Sequence, residues 1–346
     1  MIFGILTVFN IISFTITKSL DALWQESSWD STWDTWWHYK EGVIGGPSNW
    51  GQTALMAITS DIWSACYQGK MQSPINISTK HLVFDTNLEP IKILGLDKQI
   101  DVEIVNTGQD LQMKFLDSTT IIIFSEGPLV YDYKLFGAII KFGSRSSRGS
   151  DHQIDGIAFP AELQLYAFNY ILYPNFSVAL SKPNGLAVLS IFCQVGVQSS
   201  ADLEAIFSIA DHVQLKGQFK KLHGLLLEGI IPSTVHYMTY QGSLPFPACY
   251  ETVTWIILNQ PVIITETQIS NNSSIKIISG DVLKSLRQLR ISSFRESGRM
   301  ADNYRTIQKL NNRSVRTNID FIQTVSYITC MEKSSVKYSI SIEFIF

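Results

Sequence analysis

The chain has 346 residues, 45% of them hydrophobic and 16% charged, with a formal net charge of −3. That is ordinary globular composition, enough for one large core or two smaller ones, and it offers no electrostatic footprint for nucleic acid. No Lys/Arg cluster stands out that would hold a phosphate backbone or an anionic leaflet.

The first residues, "MIFGILTVFNIISFTIT", are almost wholly apolar and stop at Lys18. They read as a secretory signal peptide over 1–19, although no positive n-region precedes the apolar run. A membrane anchor is the competing reading, but seventeen apolar residues lie at the short end for a span. No later segment has transmembrane length. A Trp-rich acidic stretch follows. Its part over 20–35 lacks periodicity and reads as a mobile arm. Trp36, Trp37 and Tyr39 are expected to pack onto a surface groove, a carbohydrate or partner platform being the sharper alternative.

From residue 70 to 265 the texture is β. Short runs rich in Val, Ile, Phe and Tyr, such as "IDVEIVN", "ELQLYAFNY" and "GLAVLSIFCQVG", are bounded by Gly, Pro, Asn and Ser. The continuous apolar run 186–192 implies a strand covered on both faces. Within "GAIIKFGS" a lysine, Lys141, interrupts what otherwise reads as a core strand. Helical signal is sparse, confined to "DLEAIFSIADHV" and "GDVLKSLRQL". There are no repeats and no low-complexity linker, so one large domain over 36–320, built on one extended sheet, is the economical reading. In the tail, 321–346, Val336, Tyr338, Ile340, Ile342, Phe344 and Phe346 share one parity opposite polar residues, the pattern of a half-buried strand.

Four cysteines, Cys66, Cys193, Cys249 and Cys330, form no CxxC pair, which excludes a zinc ribbon. In an exported chain an even count suggests disulfides. Sequons at Asn175, Asn271 and Asn272 lie in polar, turn-like stretches and agree with export.

Several stretches together resemble the α-carbonic anhydrase family: "GPSNWG" (46–51), "YQGKMQSPINI" (67–77), "SKPNGLAVLSIFCQVG" (181–196) and "YMTYQGSLPFPACYETVTWIILNQPV" (237–262). They occur in the family's order. "PACYETVTWII" and "LNNRSVRTNI" are similar to its secreted, non-catalytic related proteins ten and eleven. The resemblance implies a mainly β fold with short surface helices: a ten-stranded, mostly antiparallel twisted sheet under a conical cleft. In active members three histidines in that cleft bind zinc, two of them alternating on one strand before an aromatic-Gly-Ser turn.

Catalysis of that kind needs three neutral imidazoles on Zn²⁺ and a fourth position open to water, whose pKa the metal lowers to about 7. Counting back from Phe142-Gly143-Ser144, the resemblance puts Lys141 and Ile139 in two ligand positions. Gln164 stands in the third, within a run that begins at Glu162. Around them, Gln109 takes the place of the proton-shuttle histidine and Pro245 that of the threonine that orients zinc-bound hydroxide. Asp151 matches that threonine's acidic partner, and His152 is expected to keep a structural role. Isoleucine offers no lone pair, the amide is a poor ligand and an ammonium repels a dication. The resemblance therefore implies no catalytic residues and no cofactor or metal. Lys141 is expected to hydrogen-bond to Glu162 and Gln164 on the adjacent strand.

By the same resemblance Cys66 and Cys249 are expected to form a disulfide. Cys193 reads as a buried thiol. Cys330 invites either an intermolecular bridge or pairing with Cys193. The function implied is that of a secreted, non-catalytic ligand for an extracellular or cell-surface protein, neurexin-like by analogy with the subgroup. Two alternatives stay open: an enzyme of altered chemistry using Lys141 as nucleophile or base, and a surviving hydratase with a non-standard metal.

Overall fold

Strand register explains the fold. In the computed structural model the described residues are 37–51, 63–116, 120–197, 199–265 and 282–320. Residues from His38 onward belong to one unit; of the other, 1–37, only Trp37 is described. The signal peptide, the acidic arm, Trp36, Asn271, Asn272, Cys330 and the tail strand lie outside the described residues.

Ten strands form a continuous path: β1 (Val83–Phe84), β2 (Gln99–Asn106), β3 (Leu111–Phe115), β4 (Tyr133–Phe142), β5 (Ala161–Asn169), β6 (Leu186–Gly196), β7 (Phe219–Leu226), β8 (Tyr237–Gly242), β9 (Val253–Leu258) and β10 (Arg316–Thr317). Their spatial order is β7-β2-β3-β4-β5-β6-β9-β8-β10-β1. The β6–β9 and β10–β1 pairings are parallel and the other seven antiparallel. The expected mostly antiparallel twisted sheet is thus observed, with ten strands on one path and thirteen in all among the described residues. Lys92–Leu94, Ile123–Ser125 and Val262–Thr265 add short strands off this path.

The helices are short: α1 (Ser64–Gln68), α2 (Phe176–Ala179), α3 (Ala201–Ser208) and α4 (Val282–Leu286). Helix α3 starts at Ser200, whose side chain accepts from the Leu203 N–H, and carries Asp202 and Glu204 in its first turn, where the helix dipole favours them. Helix α4 is shorter than its sequence pattern suggests. The chain leaves it by pairing Arg290 N–H with Gln214 O (2.7 Å) and turning into a hairpin.

Side-chain parity divides the central sheet into two faces. On β4, β5 and β6, Ala138, Ile140, Phe142, Leu163, Leu165, Leu189, Ile191 and Cys193 enter the main apolar core with Leu203, Ile206 and Leu283 from α3 and α4. Ile139, Lys141, Glu162, Gln164, Tyr166 and Ser190 take the opposite parity and are equally buried. A single chain alternation therefore builds an oily face and a polar one inside the same protein.

Candidate functional site: a buried ionic centre

The register fixes the polar face. Lys141 lies opposite Glu162, and Ile139 opposite Gln164, across the β4–β5 pair. On the other side Ile139 lies opposite Gln112 of β3 and Ile140 opposite Leu111, so two residues on from Gln112 the register places Asp110 beside Lys141. The lysine is flanked by a carboxylate on each side, and the hydrogen bonds decide between them.

Lys141 bonds to Asp110. Its Nζ donates to Asp110 Oδ1 (2.9 Å) and to the Tyr39 hydroxyl (2.6 Å), and lies 4.0 Å from Asp151 Oδ2. Both Lys141 and Asp110 side chains are 0% exposed. Tyr39 in turn donates to Asp110 Oδ2 (2.8 Å), and Asn303 Nδ2 donates to Asp110 Oδ1 (2.8 Å). The expected bonds from Lys141 to Glu162 and Gln164 are not formed, because both groups are committed elsewhere. Tyr39 also departs from expectation: instead of resting on a surface groove, it enters this centre and is buried. Burial raises the Asp110 carboxyl above its ordinary range, against the pull of Lys141 and the neighbouring donors. Burial, then the Asp110 charge, likewise pushes the Tyr39 phenol upward.

Glu162 accepts four bonds. Oε1 receives His152 Nδ1–H (2.9 Å), Gln164 Nε2–H (2.9 Å) and the Ser190 hydroxyl (2.8 Å), and Oε2 receives the His152 backbone N–H (2.9 Å). Burial alone would raise this carboxyl; His152 and the other donors outweigh burial and hold it below its ordinary value. His152 Nε2 shares a hydrogen bond with the Tyr240 hydroxyl (2.7 Å), which bonds Ser73 Oγ (2.9 Å). The Trp255 ring lies 4.6 Å from the imidazole.

Gln164 bridges the two clusters. Its Nε2 donates to Asp151 Oδ2 (2.8 Å) as well as to Glu162, while its Oε1 accepts from Tyr166 OH (2.8 Å). Asp151 Oδ1 accepts the Arg305 backbone N–H (2.8 Å). Burial pushes the Asp151 carboxyl up to about 6, with Lys141 opposing and Glu162 reinforcing. Gln109 sits in the turn before β3, its N–H on Thr107 Oγ1 (3.3 Å). Pro245 is buried in the loop after β8.

The structure thus gathers Ile139, Lys141, Asp151, His152, Glu162 and Gln164, and adds Asp110, Tyr39, Tyr166, Ser190, Tyr240, Asn303 and Arg305, which sequence reasoning missed. Tyr166 shares the parity of Glu162 and Gln164, a signal that was available. Asp110 needed the β3–β4 register.

The donor set does not fit a zinc ion. Isoleucine supplies no ligand atom at 139, the Lys141 nitrogen spends its protons on Asp110 and Tyr39, and the Gln164 carbonyl is occupied by Tyr166. Among the described residues no cluster of three or more His, Cys, Asp or Glu is arranged to hold a metal.

Nearby, Cys66 of α1 and Cys249 are joined in a disulfide, with Cα atoms 4.9 Å apart across 183 residues. The chain-entropy model gives a closure of that length about 5 kcal/mol. Arg305 is buried beside it: its Nη1 donates to Gln72 Oε1 (2.8 Å) and Ser73 O (2.9 Å), and its Nη2 to Cys66 O (3.3 Å). Cys193 is a buried free thiol, its pKa raised by burial.

The family description "Eukaryotic-type carbonic anhydrase" matches residues 46–319, and the chain belongs to that family. It is similar to carbonic anhydrase-like protein 2 of Caenorhabditis elegans, with 37% identity over 280 residues covering 80% of this chain and 77% of that protein.

Proposed function

We propose that this chain is a non-catalytic member of the carbonic anhydrase family, in which an internal ion pair stands where the metal would be, and that it acts outside the cell as a ligand for another protein. On this reading Ile139, Lys141 and Gln164 occupy the three zinc-ligand positions. The observation that carries it is the bonding of Lys141: 0% exposed, 2.9 Å from Asp110 and 2.6 Å from Tyr39. A buried ammonium without partners would cost several kcal/mol or lose its proton, and two acceptors plus a nearby second carboxylate relieve that cost. The same burial disfavours Lys141 as a nucleophile or base, since its nitrogen has no surface to offer a substrate.

Export is supported by the apolar leader, by the Cys66–Cys249 disulfide, a bond that persists in oxidising compartments, and by Asn175. That sequon asparagine is exposed and uses only its Oδ1, which caps α2 through the Val178 N–H (2.9 Å). The partner reading rests on the resemblance to the secreted related proteins: a neurexin-like surface protein, with Cys330 supplying an intermolecular disulfide.

Two measurements test this. The purified, exported chain should hold less than a tenth of a zinc per molecule and hydrate CO₂ no faster than buffer. One zinc per chain with chelator-sensitive hydration would overturn the non-catalytic reading. Co-expressed with a panel of surface-receptor ectodomains that includes a neurexin, it should form a reducible covalent complex that Cys330→Ser abolishes. An undiminished covalent complex removes Cys330 from the account, and no complex with any ectodomain removes the partner class.

A further inference from the structure

We propose that the hairpin Arg290–Arg299, with the loop 143–148 beside it, is a binding surface for a sulfated glycosaminoglycan. This segment departs from the expectation that no basic cluster exists. Residues 284–299 carry five cations (Lys284, Arg287, Arg290, Arg295, Arg299) against one acid, Glu296, hence +4; the whole chain is −3, which leaves −7 elsewhere. Overall composition hides the segment because the remainder outweighs it.

The fold makes that charge a surface. Arg290 and Arg299 form an antiparallel bridge, and Ile291 N–H bonds Gly298 O (3.1 Å), so the hairpin is held open at its tip, with Phe294 71% exposed. Arg287 Nε, three residues before the hairpin, donates to Gly143 O (3.0 Å), which ties the segment leading into it to the loop bearing Arg145 and Arg148. Lys216 joins from a third segment, its backbone N–H on Ser292 O (3.1 Å).

Two facts argue for an anionic occupant. Like charges directly opposite each other on paired strands destabilise the pairing, yet Arg290 and Arg299 are placed so. Neither is neutralised by an acid: Arg290 Nη1 donates to Ser297 O (2.8 Å) and Arg299 Nη1 to Arg287 O (2.9 Å). These carbonyls hold the guanidinium groups in place and leave their charge in the field. Arg145, Arg295 and Lys216 are exposed and, among the described residues, have no carboxylate within 4.0 Å; Arg148 is paired to Asp302 (2.8 Å).

Guanidinium groups bind sulfate oxygens in forked pairs, and a linear polymer with a sulfate on most sugars can engage a hairpin and a loop together. An exposed phenylalanine among them offers a sugar ring an apolar face. The inference rests on the extracellular reading only for where such a glycan is met.

The test uses the full exported chain and a size-defined heparin oligosaccharide, with no protein partner present, so its failure leaves the protein-ligand reading untouched. Binding measured at 0.15 M salt should weaken steeply as salt rises, because counterions are released. The double variant R145E/R295E should bind at least about tenfold more weakly with an unchanged melting temperature, since neither side chain holds the fold. K182E, in the exposed turn before β6, should bind like the native chain. The oligosaccharide should raise the native melting temperature and its desulfated form should not. Absence of binding, equal binding of the desulfated sugar, an undiminished R145E/R295E, or tighter binding to phosphatidylserine vesicles through the same two arginines would each overturn the proposal.

Discussion

Two carboxylates flank Lys141, one on each neighbouring strand, and they have opposite fates. Glu162 is saturated by four donors from His152, Gln164 and Ser190, and is ionised with ease. Asp110 is met by Lys141, Tyr39 and Asn303 and still has its carboxyl raised, because burial dominates. The difference lies in the balance against burial: the charge of His152 and four hydrogen bonds outweigh it at Glu162, whereas Lys141, Tyr39 and Asn303 together do not outweigh it at Asp110. The Glu162 cluster is saturated by hydrogen bonds, His152 supplying two of the four. The Asp110 cluster is a mutual dependence, in which each charge is tolerable only while the other is present.

The sharpest way to break the comparison is to remove one member of the dependent pair. Lys141→Met should destabilise the fold by about 3–5 kcal/mol in urea unfolding, because it strands Asp110. Lys141→Met with Asp110→Leu should recover most of that loss; a double variant as unstable as the single would mean the pair is not coupled.

The next effect is in pH. Asp151 has its folded pKa raised to about 6, so it costs stability above that pH, and the cost is relieved as pH falls through 6 toward the unfolded value near 4. Two pH units correspond to about 3 kcal/mol. Asp110 is shifted in the same direction and adds to it. Glu162, lowered, has the opposite sign: its contribution is present above its unfolded pKa and is lost as pH falls further. Stability should therefore rise from pH 7 to about 5 and decline below about 4. Asp151→Asn should flatten the rise, and a monotonic loss of stability from pH 7 downward would contradict the assignment.

The smallest effect is expected on the saturated side. Glu162→Gln keeps most of the shape and removes the charge, and should cost about 2 kcal/mol. If it costs more than Lys141→Met, the contrast between the clusters is reversed.

Much of the fold was legible in local pattern. The run Leu186–Phe192 read as a strand covered on both faces and is β6, and the Cys66–Cys249 pairing expected from the resemblance is present. What local pattern did not show was who bonds to whom. Lys141 was expected to turn to Glu162 and Gln164 because their parity on a neighbouring strand could be counted. Asp110 was overlooked because its place beside Lys141 depends on the β3–β4 register, which is set by pairing between strands about thirty residues apart. Tyr39, 102 residues from Lys141, carries no local signal of burial at all.

What the amino-acid order determined by itself was the chemistry on offer: no imidazole at 139, 141 or 164, a lysine inside an apolar strand, and a surplus of arginine over 284–299. Only the tertiary structure decided which carboxylate that lysine would neutralise and which arginines would be left without an acid. Charge is carried by each residue alone, whereas its cost depends on the distance and burial of partners brought together by the whole sheet.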